Sequence, residues 1–164
     1  MKARAILLAV VIVLPAIGAP QARETGHRVG QSAPDFALKD LEGRIHSLAQ
    51  LRKDGPVLLI FWATECVYCH AMLSDFKAAH AEYAGRGLTL AGINIGGEHN
   101  VEVKAYVTDN AVPWLILSDR VANLDVAEAY RVLGTPTVVL VASDGEVLFY
   151  GHRMPDLKKL VGSS

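Results

Sequence analysis

The chain has 164 residues, 20% of them charged, and its formal net charge is −1. This length suits one domain with a single well-covered core. A net charge so close to zero gives no electrostatic reason to expect binding to nucleic acid or to an anionic membrane surface, and the chain has no stretch of basic residues interleaved with aromatic ones.

The N-terminus is typical of an export signal. Lys2 and Arg4 precede an apolar stretch, residues 5–19, which a proline and a glycine interrupt. Such a stretch is short and broken for a membrane span. We therefore predict a signal peptide, or alternatively a retained membrane anchor, over residues 1–22 and one domain over residues 23–164. In either case we expect a periplasmic location, where a dithiol stays reduced only if electrons are supplied.

Apolar runs alternate with amphipathic stretches along the rest of the chain, which predicts alternating strands and helices. The predicted strands are 33–38, 56–62, 88–95, 113–117, 137–142 and 146–150. The predicted helices are 48–52 after a Ser47 cap, 71–84, 98–110, 122–130 and 156–161. The residues expected to face inward are Met72, Leu73, Phe76, Ala79 and Tyr83 in the second helix, and Val101, Ala105 and Tyr106 in the third. The helical crossover predicts that strands 56–62 and 88–95 pair in parallel.

The only two cysteines, Cys66 and Cys69, lie where the buried strand gives way to a helix. Backbone N–H groups and the positive end of the helix dipole favour an anion there, in this case a thiolate. We expect Cys66 to be partly exposed with a lowered pKa, and Cys69 to be more covered and to keep its proton longer. Two cysteines that differ in this way make a redox couple.

Three other interpretations of this motif are open. Cys66 to His70 matches the pattern of covalent c-type haem attachment, with His70 as one axial ligand. The candidates for the second ligand are His80, His99, His152 and Met154. The pair could also form a structural disulfide, or bind copper together with a histidine. The buried strand that runs directly into the motif favours a thioredoxin-like dithiol, for which we expect no cofactor and no metal site.

A second landmark is the loop that leads into the strand at residues 137–142. Pro136 stands at the start of this strand, where a β-ladder tolerates proline. A cis bond between Thr135 and Pro136 would aim the loop at something specific, and an ordinary trans proline is the alternative. In a thioredoxin-like fold this loop faces the dithiol, and the backbone of Thr135 can pair with an extended substrate segment.

Several short motifs together follow one family pattern. They are Val29–Phe36, Phe61–Thr64 with Cys66 and Cys69, Val112–Trp114 with Ser118 and Asp119, Tyr130–Thr137, and Ser143–Gly145. On these residues the chain resembles the TlpA-like (ResA-like) branch of the thioredoxin superfamily, exported thiol–disulfide oxidoreductases of bacteria. The resemblance implies an α/β, three-layer thioredoxin-like fold with a central mixed sheet flanked by helices, an N-terminal extension and an inserted helix–strand unit. It also implies a nucleophilic Cys66, a resolving Cys69 that pairs with it, and a cis-Pro136.

The chemistry expected of this pair is disulfide exchange. The Cys66 thiolate would attack a substrate disulfide, and Cys69 would then resolve the mixed disulfide. We expect Trp62, Tyr68 and the loop at Pro136 to form an apolar rim around the exposed sulfur.

Glu65 departs from the family pattern, which usually has Trp there. Its carboxylate would oppose a thiolate at Cys66, raise the pKa of that thiol and make the couple more reducing, unless it is simply a solvated surface acid. We therefore predict a monomeric reductase of disulfide-containing exported proteins, supplied with electrons by a membrane donor. An isomerase and an oxidase are the alternatives within the same chemistry.

Overall fold

The structure is a computed structural model that describes residues 22–120 and 124–161. The predicted signal peptide or anchor therefore lies outside the described residues, apart from its last position. Within those two ranges, no helix has both the length and the apolar character that crossing a membrane requires.

A seven-stranded mixed sheet forms the centre of the molecule, in the order β2-β1-β5-β4-β3-β6-β7. The strands are β1 Ala37–Asp40, β2 Ile45–Ser47, β3 Val57–Trp62, β4 Thr89–Asn94, β5 Leu115–Ser118, β6 Thr137–Val141 and β7 Val147–Gly151. Strands β3 and β4 pair in parallel, as the crossover predicts, β5 is also parallel to β4, and the other neighbours are antiparallel. The predicted mixed sheet is confirmed.

Helices cover both faces of this sheet and complete the three layers. They are α1 Leu48–Leu51, α2 Val67–Ala71, α3 Leu73–Tyr83, α4 Asn100–Asp109, α5 Asp125–Ala129 and α6 Leu157–Val161. One core lies between the sheet and helices α1 and α5, and the other lies between the sheet and helices α2, α3, α4 and α6. The unit formed by α4 and β5 is the inserted helix–strand unit that the resemblance implies.

Strand β3 is central because its apolar residues suit burial on both faces. All six are buried, and the strand pairs with β4 on one side and β6 on the other. Its register with β6 places Phe61 beside Thr137 at one end of the sheet and Val57 beside Val141 at the other. We call these the Phe61 end and the Val57 end.

Several predicted boundaries differ from the structure. The first strand is β1, which begins at Ala37 rather than at residue 33, and β2 was not predicted because three residues are too few to show a pattern. The predicted helix 71–84 is divided in the structure, because α2 begins at Val67 and ends at Ala71, and α3 begins at Leu73 after Met72. Ser47 caps α1 as predicted, in a capping box with Gln50. The first two residues of the predicted helix 122–130 lie outside the described residues.

The predicted inward face of α4 is wrong for two residues. Val101 and Ala105 are exposed, whereas Val103 is buried and Tyr106 and Val107 are partly buried. The helix carries apolar residues on two adjoining faces, and the sheet contacts the one with i, i+3, i+4 spacing from Val103.

The chain segment before β1 is attached at the Val57 end. Arg23 forms ion pairs with Asp144 at 2.8 Å and Glu146 at 3.0 Å, in the turn that joins β6 to β7. Further along the segment, the Gly30 N–H donates to the Val147 carbonyl and the Ala33 N–H to the Gly145 carbonyl. These bonds fix the segment at the opposite end of the sheet from Phe61.

Asp40 organises the β1–β2 hairpin. Its buried carboxylate accepts Arg44 Nε at 2.7 Å, His46 Nε2 at 2.9 Å and the backbone N–H groups of Glu42 and Arg44 at 2.9 Å. Burial acts to raise the pKa of Asp40, but the hydrogen bonds from His46 and Arg44 outweigh it and hold the pKa well below its usual range. Asp40 is therefore ionised, and the side chains that donate to it balance its negative charge.

Candidate active site

Cys66 and Cys69 form a disulfide at the Phe61 end of the sheet, with their Cα atoms 5.2 Å apart. Cys66 is the N-cap of α2, and its sulfur accepts the Cys69 backbone N–H at 3.0 Å. Cys66 is half-buried, whereas Cys69 is only 4% exposed. The two sulfurs therefore differ in accessibility in the direction that the sequence predicts, which leaves Cys66 as the one open to attack.

The loop before β6 reaches the same end of the sheet. Thr137 pairs with Phe61, so Pro136 lies near the start of the segment that carries the cysteines. The Thr135–Pro136 bond is cis, as the resemblance implies. Among the hydrogen bonds between described residues, none involves the backbone of Thr135. Its N–H and carbonyl are therefore available for pairing with an incoming chain.

Side chains from β7 and from the residue after it anchor both ends of this loop. The Tyr150 hydroxyl donates to the Arg131 carbonyl at 2.8 Å, where Arg131 has a left-handed φ of 52°. His152 Nδ1 donates to the Pro136 carbonyl at 2.8 Å. The loop is thus fixed at both ends by side chains from the β7 strand and the residue that follows it.

Exposed apolar side chains are found on α2 and on this loop. Tyr68 is 75% exposed, Val67 is 76% exposed and Leu133 is 94% exposed. The predicted placement of Trp62 in the rim needs correction, because this side chain is only 6% exposed. Trp62 ends the buried strand β3 and packs against Tyr106, with ring centroids 5.1 Å apart. Val67 and Leu133 are exposed apolar residues that the sequence analysis did not include in the predicted rim.

A small apolar cavity lies under the disulfide. Its walls include Trp62, Cys69, Phe76, Tyr106 and Trp114. The Trp62 indole N–H is buried and has no hydrogen-bond partner among the described residues. Gly92 allows the two indole rings to approach, since a Cβ at that position would lie 3.0 Å from Trp62 Nε1 and 3.3 Å from Trp114 Nε1. The buried sulfur is thus embedded in aromatic side chains.

Acidic side chains lie beside the segment that leads into Cys66. Glu65 is exposed and lines a shallow groove together with Thr64, Glu98, His99 and Glu102. Solvent around Glu65 screens its charge and limits its effect on the Cys66 thiol. The role predicted for Glu65 stays a prediction.

Glu98 is the main site residue that the sequence did not indicate. Burial acts to raise the pKa of its carboxyl, but hydrogen bonds from the backbone of Thr64 and of Glu98 itself and from the Asn94 side chain lower the pKa overall. The residue is thus a carboxylate that lies one hydrogen bond away from the segment leading into Cys66.

Histidines are distributed over the molecule rather than gathered near the sulfurs. His70 is exposed, with its ring 5.1 Å from that of Tyr106, whereas His80 lies against Trp114 and His99 is the N-cap of α4. Within residues 22–120 and 124–161 no three histidine, cysteine or acidic side chains are grouped as metal ligands would be.

Comparisons with known proteins agree with this geometry. The model of the AhpC/TSA family matches residues 29–150. The thiol-disulfide oxidoreductase ResA of Geobacillus thermodenitrificans is 34% identical over 124 residues, which is 76% of this chain and 69% of that protein. These matches favour a dithiol over the haem and copper alternatives.

Solved structures resemble the fold. The thioredoxin domain of a thiol-disulfide oxidoreductase from Bacteroides vulgatus superposes with a TM-score of 0.73 at 24% identity, covering 82% of this chain and 96% of that one. A thiol:disulfide interchange protein from a Bacteroides species gives a TM-score of 0.72 at 24% identity, covering 84% and 92%. At this identity the likeness shows the fold alone.

Proposed function

The chain belongs to the AhpC/TSA family of the thioredoxin fold and is a thiol–disulfide oxidoreductase, and from this premise we propose that it reduces disulfides in exported proteins through Cys66 and Cys69. The observation that carries the proposal is the arrangement at the Phe61 end. A half-buried sulfur and a buried one lie at the same end of the sheet as a loop whose Thr135 backbone is unpaired within the described residues.

The proposed reaction has two exchange steps. The Cys66 thiolate attacks one sulfur of the substrate disulfide, a bond forms between Cys66 and the substrate, and the other substrate sulfur leaves as a thiolate that takes up a proton. Cys69, once deprotonated, attacks the Cys66 sulfur and releases the second substrate thiolate. Two electrons pass to the substrate, and the protein is left with the Cys66–Cys69 disulfide. A dithiol donor, which we propose to be membrane-bound, restores the reduced state.

Binding in this proposal uses backbone and apolar contacts. The Thr135 N–H and carbonyl pair with an extended substrate segment beside Pro136, and Tyr68 with its exposed neighbours contacts apolar side chains of that segment. Extended backbone pairing does not depend on side-chain identity, so the site suits many unfolded or flexible substrates. Apolar contact adds affinity because it removes exposed side chains from water.

The direction of exchange is proposed from the local charges. Glu65 adjoins Cys66 in the chain, and Glu98 accepts a hydrogen bond from Thr64, two residues before Cys66. Negative charge beside Cys66 disfavours its thiolate, which destabilises the reduced form and makes the couple more reducing. We expect a reduction potential near that of thioredoxin, about −270 mV, rather than the about −120 mV of a strong periplasmic oxidant.

The test is a trapping experiment combined with a redox titration. The Cys69→Ser variant cannot resolve the mixed disulfide, so exported proteins with disulfides should remain linked to Cys66 and be released by a reductant. The matched control Cys66→Ser should capture nothing. A potential above about −180 mV would contradict the reductase direction. Capture that does not depend on Cys66 would contradict the mechanism.

Export is a separate part of the proposal, because residues 1–21 lie outside the described residues. Fractionation of cells that express the full chain should place it in the periplasmic fraction or in the membrane fraction. Mass spectrometry of the mature N-terminus then separates the alternatives: a start near the end of residues 1–22 means a cleaved signal, and a start at Met1 or Lys2 in the membrane fraction means an anchor. Recovery of the full-length chain from the cytoplasm would contradict export.

A further inference from the structure

Glu98 lies in the loop that joins β4 to α4 and reaches across to the segment before the cysteines. Its Oε1 atom accepts the Thr64 backbone N–H at 2.6 Å and Asn94 Nδ2 at 3.0 Å. Thr64 lies between the end of β3 and Cys66, where no strand pairing supports the backbone. The Glu98 carboxylate thus supplies the hydrogen-bond acceptor that a neighbouring strand would supply within the sheet.

The other side of Thr64 is held as well. His70 Nε2 lies 2.6 Å from the Thr64 carbonyl, and since a carbonyl only accepts, the imidazole donates. The N–H and the carbonyl of one residue are therefore both bound, by Glu98 from the β4–α4 loop and by His70 from α2. Hydrogen bonds arranged in series through the backbone polarise and strengthen one another. The segment from Ala63 to Glu65 is thereby clamped between two elements of the fold.

The Glu98 loop is itself prepared for this contact. Arg120, just after β5, donates to the Glu98 carbonyl at 2.8 Å and to the Gly97 carbonyl. At Gly96 a Cβ would overlap the Glu98 carboxylate, so only glycine leaves the side chain room in its present position. At Gly97 an added Cβ would meet no atom within 4 Å. Glycine is therefore required at position 96, next to the carboxylate, and not at position 97.

We propose that Glu98 is a positioning residue for disulfide exchange: by accepting the Thr64 N–H, it fixes the backbone that presents the Cys66 sulfur to substrate. This inference rests on the proposed function of the dithiol. Exchange requires the attacking and leaving sulfurs to be aligned, and a displacement of about 1 Å can slow a reaction about 100-fold. Without the carboxylate, the Thr64 N–H turns to water and the segment before Cys66 gains freedom.

The experiment compares four variants of the full chain with the wild type. Glu98→Ala removes the acceptor, and Gly96→Ala displaces it without changing Glu98. Glu98→Gln removes the charge but keeps an oxygen that can accept the same two N–H groups. Gly97→Ala is the matched control for the glycine substitution. Each is assayed for kcat/KM in reducing insulin disulfides with dithiothreitol as donor, and for the pH profile of Cys66 alkylation by iodoacetamide.

We expect kcat/KM to fall about 10-fold in Glu98→Ala and in Gly96→Ala, and to stay within about two-fold of the wild type in Glu98→Gln and Gly97→Ala. The pH profile separates position from charge, because a loss of charge alone would shift the alkylation midpoint to lower pH equally in Glu98→Ala and Glu98→Gln and would change kcat/KM by the same factor in both. Thermal unfolding of each variant shows whether it is folded at the assay temperature. If Glu98→Ala is not folded, Gly96→Ala, which displaces the same carboxylate, supplies the comparison with Glu98→Gln.

Any of three results would overturn the inference while leaving the proposed function intact. The first is a Glu98→Ala variant as active as the wild type. The second is a Glu98→Gln variant as slow as Glu98→Ala, and the third is a Gly97→Ala variant as slow as Gly96→Ala. A wild-type protein that shows no Cys66-dependent reduction would overturn the proposed function together with this inference.

Discussion

Asp40 and Glu98 are both acidic residues that accept backbone N–H groups where a strand has ended, but their other donors differ. In the β1–β2 hairpin, Asp40 also accepts from Arg44 and His46, side chains that carry or can carry positive charge. Beside the dithiol, Glu98 accepts from the neutral Asn94 amide, and no cationic side chain in the described part of the chain forms an ion pair with it.

This difference in donors distinguishes Asp40, a carboxylate that stabilises the fold, from Glu98, a carboxylate that influences the dithiol. In the hairpin, charge on Asp40 is compensated locally, so its effect is confined to holding a turn. At the dithiol, the hydrogen bonds of Glu98 come from dipoles, which favour the carboxylate without cancelling its charge. The negative charge therefore persists next to the segment that carries Cys66. The predictions below break or sharpen this contrast.

The largest effect is expected from removing the nucleophile. Cys66→Ser should abolish insulin reduction, by about 1,000-fold or more, because the second thiol is buried and cannot replace it. Thermal unfolding of this variant should match that of the reduced wild type. An active Cys66→Ser variant would mean that Cys69 attacks substrate, which would reverse the assignment of the two sulfurs.

The hairpin carboxylate should affect stability and not exchange. Asp40→Ala leaves two backbone N–H groups and the Arg44 and His46 side chains without their common acceptor. We expect Tm to fall by roughly 5 °C, with kcat/KM unchanged. Glu42→Ala, which removes an exposed acid of the same hairpin, is the control and should leave Tm nearly constant. A fall in kcat/KM at full folding would remove the contrast between the two regions.

Acid should destabilise the protein because it protonates Asp40 and Glu98. The pKa of Asp40 is lower in the folded state than in the unfolded chain, so the unfolded state takes up the proton first and stability falls as pH decreases below about 4. Above that range the contribution of Asp40 is fully present. Urea unfolding measured from pH 6 to pH 3 should show a shallower decline in Asp40→Asn than in Glu98→Gln, since Asp40 has the charged donors. Equal slopes would contradict the comparison.

The smallest effect is expected at Glu65. Because solvent screens this exposed side chain, Glu65→Gln should lower the pKa of the Cys66 thiol only slightly. Titration of both thiols in the reduced protein measures the shift. An unchanged pKa would show that Glu65 is a surface acid without influence on the couple.

The sequence predicts the features that depend on local pattern. A continuous apolar run identifies β3, and the boundary between strand and helix accounts for the different exposure of Cys66 and Cys69. Motif resemblance supplies the cis bond at Pro136, which no local propensity would have indicated. These features need only a few neighbouring residues or a familiar motif, so they are visible before any tertiary contact is known.

Features that depend on tertiary contacts were missed. Helix α4 has apolar residues on two faces, and only its position on the sheet selects Val103 over Val101. Trp62 was expected at the rim, yet β3 is buried on both faces and leaves its last side chain inside. Glu98 binds the backbone of Thr64, which is 34 positions away in the sequence. The only local signal is the pair of glycines just before Glu98, and a glycine pair alone predicts no such contact.

The attachment of Arg23 to the β6–β7 turn has a practical consequence. Since that turn lies at the Val57 end of the sheet and the disulfide lies at the Phe61 end, the segment around Arg23 joins the domain at the end opposite the two sulfurs. A purification tag, a fluorescent reporter or a surface tether joined just ahead of Arg23 would extend away from the thiols. Immobilised in that orientation, the domain would present its working face outward to whatever solution flows past it.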